Sequence, residues 1–478
     1  MSTVTADVES HTDELSVIDP ATEQVLQQLT CCGRDDFDLA LERVQGALKG
    51  WRQDLAFRRQ ALRDCARVLR KRSNLFELGT LLTREQGKPK REALDEVMAA
   101  AHWFASIAEI EIPAQSTETS TGAAEIRYEP LGIVGAITAG NFPVFLAASK
   151  IASALLAGNV VLLKPSPYTP LSTLKLVELL TEAANADGVV PLPKHVVTVL
   201  VGDELLGNWL VESEQIAHIS FTGSTAVGKR IMEGASHTLK SVTLELGGND
   251  AAIVADDAAI EEIIEPLFWG AFTNAGQFCT GIKRLYVHES VYGRVVDKLT
   301  QLAHEIVVDD GLKPKTQMGP LTHRAHFNRI VELVEQTRNA GATITAGGSP
   351  LPRTGYFYPP TIVVDLSEDD ALVSQEQFGP VLPVLPYRDC REVVARVNAS
   401  NFGLGASVWT RDADVAARIS DELECGTVWV NQHGILDPMV PFGGHKQSGI
   451  GREHGWAGVY ELTKTKVVSR RAPPTNDS

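Results

Sequence analysis

The chain contains no Cys-x-x-Cys pair, no His-Glu-x-x-His, no excess of basic charge and no uninterrupted apolar run of about 18 residues. Each absence excludes something. Six cysteines in 478 residues, two of them adjacent at Cys31 and Cys32, do not make a disulfide framework. Twelve histidines without a zinc-ligand spacing leave no structural metal to expect. A net charge of −16 argues against nucleic acid and anionic membrane as partners, and no segment reads as a membrane span. The polar, acidic start Met1–Ser10 is unlike a secretory signal, and no repeat of roughly 20–50 residues is visible. A reducing, cytoplasmic setting is therefore expected. With 44% hydrophobic and 22% charged residues the chain has globular composition, and its length allows two or three domains of roughly 100–200 residues.

Residues 1–15 and the tail Arg470–Ser478 read as frayed ends. Residues 36–110 carry helical periodicity, clearest through Ala61–Leu69 and Leu94–Ile107. The threonine-rich stretch Pro113–Ala123 reads as a linker or an exposed hairpin arm. From Leu131 onward strands and helices alternate. Strands are expected at Leu131–Thr138, Val160–Lys164, Val196–Val201, Ile216–Phe221 and Val242–Leu246. The intervening helices are Pro143–Ala157, with proline in the first turn and Gly158 at its end, Ser172–Asn185 with a serine cap, Glu204–Glu212, and one from near Ala226. Further strands are expected at Ala251–Val254, Arg284–Val287, Ala406–Thr410 and Thr427–Asn431. The pattern is that of a mostly parallel, doubly wound α/β sheet followed by a second α/β unit.

The chemistry concentrates in Asn274-Ala-Gly-Gln-Phe-Cys-Thr280, which follows a helical apolar run over Ile263–Ala275 and precedes the basic, strand-like Lys283–Val287. Upstream, Glu245 stands in Leu244-Glu-Leu-Gly-Gly248, where a strand meets two glycines. A thiol and a carboxylate at element ends can converge in a cleft, so covalent catalysis is the first expectation. Gly223-Ser-Thr-Ala-Val-Gly-Lys229 lies between a strand and a helix, either as a simple turn or as a phosphate-holding one. It nearly matches a P-loop, but Arg230 replaces the hydroxyl that would hold magnesium. Asn141, before Phe142-Pro143, reads as an N-cap or as an amide donor to an oxyanion. Lys150 reads as a solvated helix lysine, and Lys164 in Lys164-Pro-Ser-Pro167 ends a strand within reach of a cofactor. The glycine-rich Pro441–Glu453 reads as a loop that shapes a site.

These motifs, in this order, resemble the aldehyde dehydrogenase superfamily over roughly residues 15–470: Asn141-Phe-Pro143, Lys164-Pro-Ser166, Phe221–Thr225 with Gly228, Glu245–Gly248, Gly276–Cys279, Glu376–Pro380 and Pro441–Gly444. The resemblance implies a hydrolytic, non-acylating enzyme that oxidises an aldehyde to its acid with NAD or NADP. Cys279 would be the nucleophile, Glu245 the general base, Asn141 an oxyanion donor with the Cys279 N–H, and Lys150 an electrostatic support. The cofactor would meet Thr138, Lys164, Ser166, Gly223, Ser224, Thr225, Gly228, Leu246, Glu376 and Phe378. The aldehyde would meet Phe142, Leu146, Ser149, Phe278, Thr280 and Ile435, with Leu436 nearby. An unperturbed thiol titrates near ~8.5, so its surroundings or the base must supply the thiolate.

The implied architecture is a dinucleotide-binding domain over 1–110 and 131–247, a catalytic domain over 248–446, and an oligomerisation arm over 111–130 and 462–472. Its strand edges imply a homodimer or homotetramer. Three positions depart from the family pattern. Pro167 stands where a glutamate often binds the ribose hydroxyls of NAD, which opens the site to NADP. Gly140 and Ser149 stand where aromatic bulk often lies, which suggests a tunnel for a branched or aryl aldehyde. No arginine cluster stands ready for a second carboxylate. A CoA-acylating semialdehyde dehydrogenase, a P-loop-type NTPase and a non-catalytic relative are the competing readings.

Overall fold

The computed structural model describes residues 13–182 and 188–471. The fraying expected over residues 1–12 and 472–478, the last residue of the arm, and the end of the helix expected to reach Asn185 lie outside these residues. Strands Ile133–Ile137, Val160–Lys164 and Val197–Val199 run side by side and parallel. Ile216–Thr222 then returns to the other side of Ile133–Ile137, and Ser241–Glu245 lies beyond it, again parallel. Ile133–Ile137 and Val160–Lys164 are buried along their whole length, as apolar strands covered by helices on both faces must be. The order reverses between Ile133–Ile137 and Ile216–Thr222, the switch point beyond which such sheets leave a crevice at the strand C-termini. Register pairs Ile137 with Lys164 and Phe221, and Thr222 with Glu245, so these residues share one edge.

A second sheet of seven strands is parallel except for its outer strand Thr343–Ala346, and Ala251–Val254 and Arg284–His288 lie at its centre. The threonine-rich segment is a hairpin, Gln115–Thr119 with Gly122–Pro130, which Thr463–Arg471 extends to three antiparallel strands. Four helices, Arg34–Trp51, Leu55–Arg70, Arg72–Gln86 and Lys90–Ile107, fill the region expected to be helical. Glu14 and Leu15, expected to fray, instead pair with Thr30 and Leu29 in a hairpin. No helix among the described residues is long and apolar enough to cross a membrane.

Two helix starts depend on carboxylates brought from elsewhere. Glu96 accepts from the N–H groups of Val144 and Phe145 at 2.9 and 3.1 Å, capping helix Pro143–Leu156. It is ion-paired at 2.5 Å with the equally buried Lys88, which also donates to the Asn141 carbonyl at 2.8 Å. The expected serine cap at Ser172 is not one: helix Leu171–Glu182 is capped by Glu85, which accepts from Leu171 and Ser172 N–H at 2.8 and 2.7 Å. Orphan N–H groups at a helix start are met by whichever acceptor the fold supplies, and a buried carboxylate also answers the helix dipole.

Candidate active site

A cavity of about 860 Å³ opens at the strand edge of the first sheet. Asn141 and Phe142 reach it from Ile133–Ile137, Gly223–Thr225 from Ile216–Thr222, and Glu245 and Leu246 from Ser241–Glu245. Phe278, Cys279, Glu376 and Phe378 enter it from the segments that flank the second sheet.

The cysteine loop is held by strain and by buried hydrogen bonds. The expected helix over Ile263–Ala275 ends earlier, at Phe272, and a single turn Thr273–Gly276 follows with Asn274 and Ala275 at φ 53° and 55°. Gly276, at φ 71°, lies so close to Gly379 that a Cβ there would collide with its carbonyl. The Asn274 amide donates to the Asn141 carbonyl at 2.9 Å and accepts from Gln86 at the same distance. Lys283, buried to 2% exposure, donates to the carbonyls of Phe278, Cys279 and Gly281 at 2.6, 2.9 and 3.2 Å. This lysine clamp was not legible: the sequence marks Lys283 only as the start of a basic strand. Asn141 is not the helix cap, since Phe142 is the N-cap residue; its amide donates to the Gln277 carbonyl at 3.0 Å, and its side-chain oxygen has no partner among the described residues.

Burial pushes the Cys279 thiol up to about 12, with Glu376, Asp250 and Glu245 adding to it and Lys283 opposing. Glu245 is 6% exposed, and neither carboxylate oxygen has a hydrogen-bond partner among the described residues. Burial, reinforced by the charge of Glu453, holds its carboxyl well above the ordinary carboxylate range, against the pull of Lys150 and Arg452. Lys150 is not on the surface. It lies buried off the cavity wall, donates to the Ser220 hydroxyl at 3.0 Å and pairs with Glu453. Burial would raise Glu453, but Lys150 above all outweighs it and keeps that carboxyl low. Glu453 closes a loop read from sequence as merely shaping the site, yet it lines the cavity and sets the field at Glu245.

Ser224 caps helix Thr225–Ser236, accepting from Val227 N–H at 3.4 Å, so this N-terminus opens on the cavity. A Cβ on Gly228 would come within 2.5 Å of the Leu246 side chain, which would have to shift to admit it. Lys229 donates to the Gln447 side-chain oxygen at 3.0 Å and Arg230 pairs with Glu204. The Glu376 carboxylate accepts from Gly248 N–H at 3.1 Å beside Lys283. Thr138, Lys164 and Ser166 are buried off the cavity wall, and burial lowers the Lys164 ammonium to about 8.

On the substrate side Phe142, Leu146, Phe278 and Leu436 line the cavity. Ser149, Thr280 and Ile435 do not: the Ser149 hydroxyl donates to the Leu146 carbonyl at 3.1 Å, Thr280 is wholly buried, and Ile435 is 63% exposed. Gly140 also leaves no opening, since a Cβ there would meet the Ser166 and Thr169 hydroxyls at 2.9 and 3.0 Å. The wall is instead aromatic, through Trp103 and Phe145, which the motifs do not mark, and Phe442, which stands in the Pro441–Gly444 motif.

Fold and cavity together define a doubly wound α/β protein with a cysteine in the crevice at its strand ends. The family model described as the aldehyde dehydrogenase family matches residues 8–468, and the chain belongs to that family. It is an aldehyde dehydrogenase, an enzyme that oxidises aldehydes. It is 38% identical to the phenylacetaldehyde dehydrogenase of Pseudomonas fluorescens over 95% of this chain and 92% of that one. Retinaldehyde dehydrogenase 3 of Rattus norvegicus is 36% identical over 97% and 91%. The NAD+ complex of an aldehyde dehydrogenase from Bacillus cereus superposes with a TM-score of 0.92 at 34% identity, covering 96% of this chain and 94% of that one. An NADP-dependent enzyme of E. coli gives 0.91 at 33% identity, covering 95% and 94%.

Proposed function

We propose that the chain oxidises an apolar aldehyde, preferably an aryl one, to its carboxylic acid with NAD+ or NADP+, through a covalent adduct on Cys279. The observation that carries this reading is one cavity holding both the clamped Cys279 and a buried Glu245 with two unpartnered oxygens. With its thiol near 12, Cys279 does not ionise unaided at neutral pH, so Glu245 takes the proton as sulfur bonds to the carbonyl carbon. A free amide hydrogen of Asn141 and the Cys279 N–H hold the oxyanion. Bound NAD(P)+ supplies the acceptor for the two electrons and the hydrogen that leave the thiohemiacetal. Glu245 releases that first proton to solvent, then takes one from water as its oxygen bonds to the thioester carbon, and returns it to sulfur as the C–S bond breaks to free the acid and the thiol. Burial, and then the charge of Glu453, raise the proton affinity of Glu245, while Lys150, paired with Glu453, opposes them.

The turn Gly223–Gly228 and the helix behind it fit a pyrophosphate, with Leu246, Glu376 and Phe378 toward the nicotinamide and Thr138, Lys164 and Ser166 toward the adenosine. NAD is slightly favoured, and the absence of a carboxylate at Pro167 leaves room for NADP. The engagement of Lys229 and Arg230 speaks against a P-loop NTPase, and a free Glu245 speaks against CoA acylation. Aromatic walls, with the lining arginine Arg329 tied to the Glu376 and Gln377 carbonyls, favour an aryl aldehyde over a semialdehyde. The two large sheets support a cofactor domain over 1–110 and 131–247 and a catalytic domain over 248–446. The arm, with Gln115–Thr119 and Thr463–Arg471 each paired on one side, supports a homodimer or homotetramer. Reduced-cofactor assays across an aldehyde panel, with both cofactors, test the reading. Cys279→Ala should abolish turnover, and substantial turnover in that variant would overturn the covalent route.

A further inference from the structure

Phe378 holds a left-handed backbone, φ 54°, which a bulky aromatic residue adopts only where its surroundings fix it. Those surroundings include two side chains one turn apart on helix Arg324–Asn339. The Arg329 guanidinium donates to the Glu376 and Gln377 carbonyls at 2.7 and 3.1 Å, and His326 Nε2 bonds the Phe378 carbonyl at 2.7 Å. One helix thus captures successive carbonyls along the whole strained segment. A carbonyl only accepts, so Nε2 carries the ring proton. Burial lowers the imidazole to about 4 against the pull of the Phe378 bond, with His323 and Arg329 helping, so the ring is neutral at pH 7.

The helix is itself a fixed support. Its N-cap His323 accepts from His326 N–H at 3.3 Å and stacks on Tyr168, with ring centres 3.9 Å apart and planes at 7°. Tyr168 belongs to the loop that follows Val160–Lys164, so the stack ties this helix to the first sheet. The other side of the strained segment is tied to the cysteine loop. The buried Gln377 amide donates to the carbonyls of Lys283 and Val381, both at 2.9 Å, and Gly379 packs on Gly276. His326, Arg329, Glu376, Phe378 and Cys279 all line the one cavity. The shape of the segment therefore sets how Glu376 and Phe378 face the thiol.

We propose that His326 and Arg329 are positioning residues for hydride transfer, a latch that holds Glu376–Phe378 in the conformation that seats the nicotinamide against the Cys279 adduct. Without it Phe378 relaxes to an ordinary backbone and the two side chains lose their common aim. The latch rests on the reading that makes Cys279 the nucleophile and places the nicotinamide beside Glu376 and Phe378, and its test separates the two.

The test compares NAD+-dependent oxidation of benzaldehyde with hydrolysis of nitrophenyl acetate in the absence of cofactor, which uses Cys279 and Glu245 but transfers no hydride. His326→Leu should lower kcat for oxidation by roughly ten- to a hundredfold, with ester hydrolysis and aldehyde KM within about twofold of wild type. The primary deuterium isotope effect, with benzaldehyde deuterated at the aldehyde carbon, should be at least as large as in wild type. His326→Gln, which keeps a donor, should recover most of the oxidation rate, and Arg329→Met should show the same split as His326→Leu. A parallel fall in both activities, a suppressed isotope effect in a slowed variant, or unchanged oxidation in both His326→Leu and Arg329→Met overturns the latch. A wild type that hydrolyses the ester no faster than Cys279→Ala, or a Phe378→Ala variant that oxidises at the wild-type rate, overturns the reading beneath it.

Discussion

The two ends of the cavity are built by different means. The proposed cofactor end is mostly backbone: a turn, a helix N-terminus, and a glycine beside Leu246. The proposed substrate end is assembled from side chains of four separate segments, Trp103, Phe142 with Phe145, Phe278, and Phe442 with His454. Backbone sites need particular residues at fixed local spacing, so they leave a mark in the sequence. Side-chain walls need only the right bulk wherever the fold delivers it, so Trp103, Phe145 and His454 leave none, while Phe142, Phe278 and Phe442 are legible because they stand in motifs. The chemistry sits between the ends and partakes of both.

Breaking the chemical centre should have the largest effect and should spare both ends. Glu245→Gln is expected to lower kcat by roughly 10²–10⁴-fold while leaving cofactor affinity within about twofold. In wild type the base must be deprotonated to act, and its pKa is raised, so activity should rise with pH along a limb displaced above the ordinary carboxylate range. That limb should vanish in the variant. The sign for stability is the reverse. The folded state binds this proton more tightly than the unfolded chain, so the native state loses stability as pH rises through the raised pKa. Glu245→Gln should therefore match or exceed wild-type stability above neutral pH, by denaturant titration. A variant that is less stable there would show that the carboxylate is held by contacts the structure does not contain.

The next effect tests what positions the centre. Lys88 and Glu96 are buried as a pair, and Glu96 also caps the helix that follows Asn141. Lys88→Met leaves an uncompensated buried carboxylate, which costs on the order of 3–5 kcal/mol. A fall in Tm with unchanged activity at low temperature would separate folding from positioning. A fall in kcat there as well would show that the Asn141 carbonyl needs the ammonium that now holds it.

These residues also mark where sequence reading stopped. Val160–Lys164, Glu204–Glu212 and Ala251–Val254 were legible to the residue, because apolar runs and N-cap signals are local. Cys279, Glu245 and the turn at Gly223 stood out because the chemistry proposed for them requires those residue types at element ends. Lys283, Glu453 and the Glu85 cap did not, since each acts on a partner distant in sequence. Gly140 and Ser149 misled for a related reason. A small residue in one sequence says nothing about who fills the space, and here Ser166, Thr169 and the helix itself do.

A smaller effect should divide the two ends cleanly. Gly228→Val forces a side chain against Leu246, an overpacking that costs about 1–3 kcal/mol. It should weaken NAD(P)H binding, read by fluorescence titration, without changing the ranking of aldehydes. Phe278→Ala should do the opposite, raising KM for an aryl aldehyde by roughly tenfold at constant cofactor affinity. If either variant moved both quantities alike, the two ends would be one mechanical unit and the contrast between them would fail.

The smallest effect expected bears on which dinucleotide the backbone end accepts. Pro167 follows Lys164-Pro-Ser at the end of a buried strand, and no carboxylate stands at that position to meet a ribose hydroxyl or repel a phosphate. Pro167→Glu adds one negative charge at a partly exposed position, where charge–charge terms are screened. The kcat/KM ratio of NAD+ to NADP+ should rise by about threefold to tenfold, more at low salt than at high. Lys164 should respond as well: a neighbouring carboxylate favours its charged form and should raise its pKa from about 8. A ratio indifferent to both the substitution and the salt would mean that the 2′ position of the ribose lies elsewhere. The choice of cofactor would then depend on residues beyond this strand end.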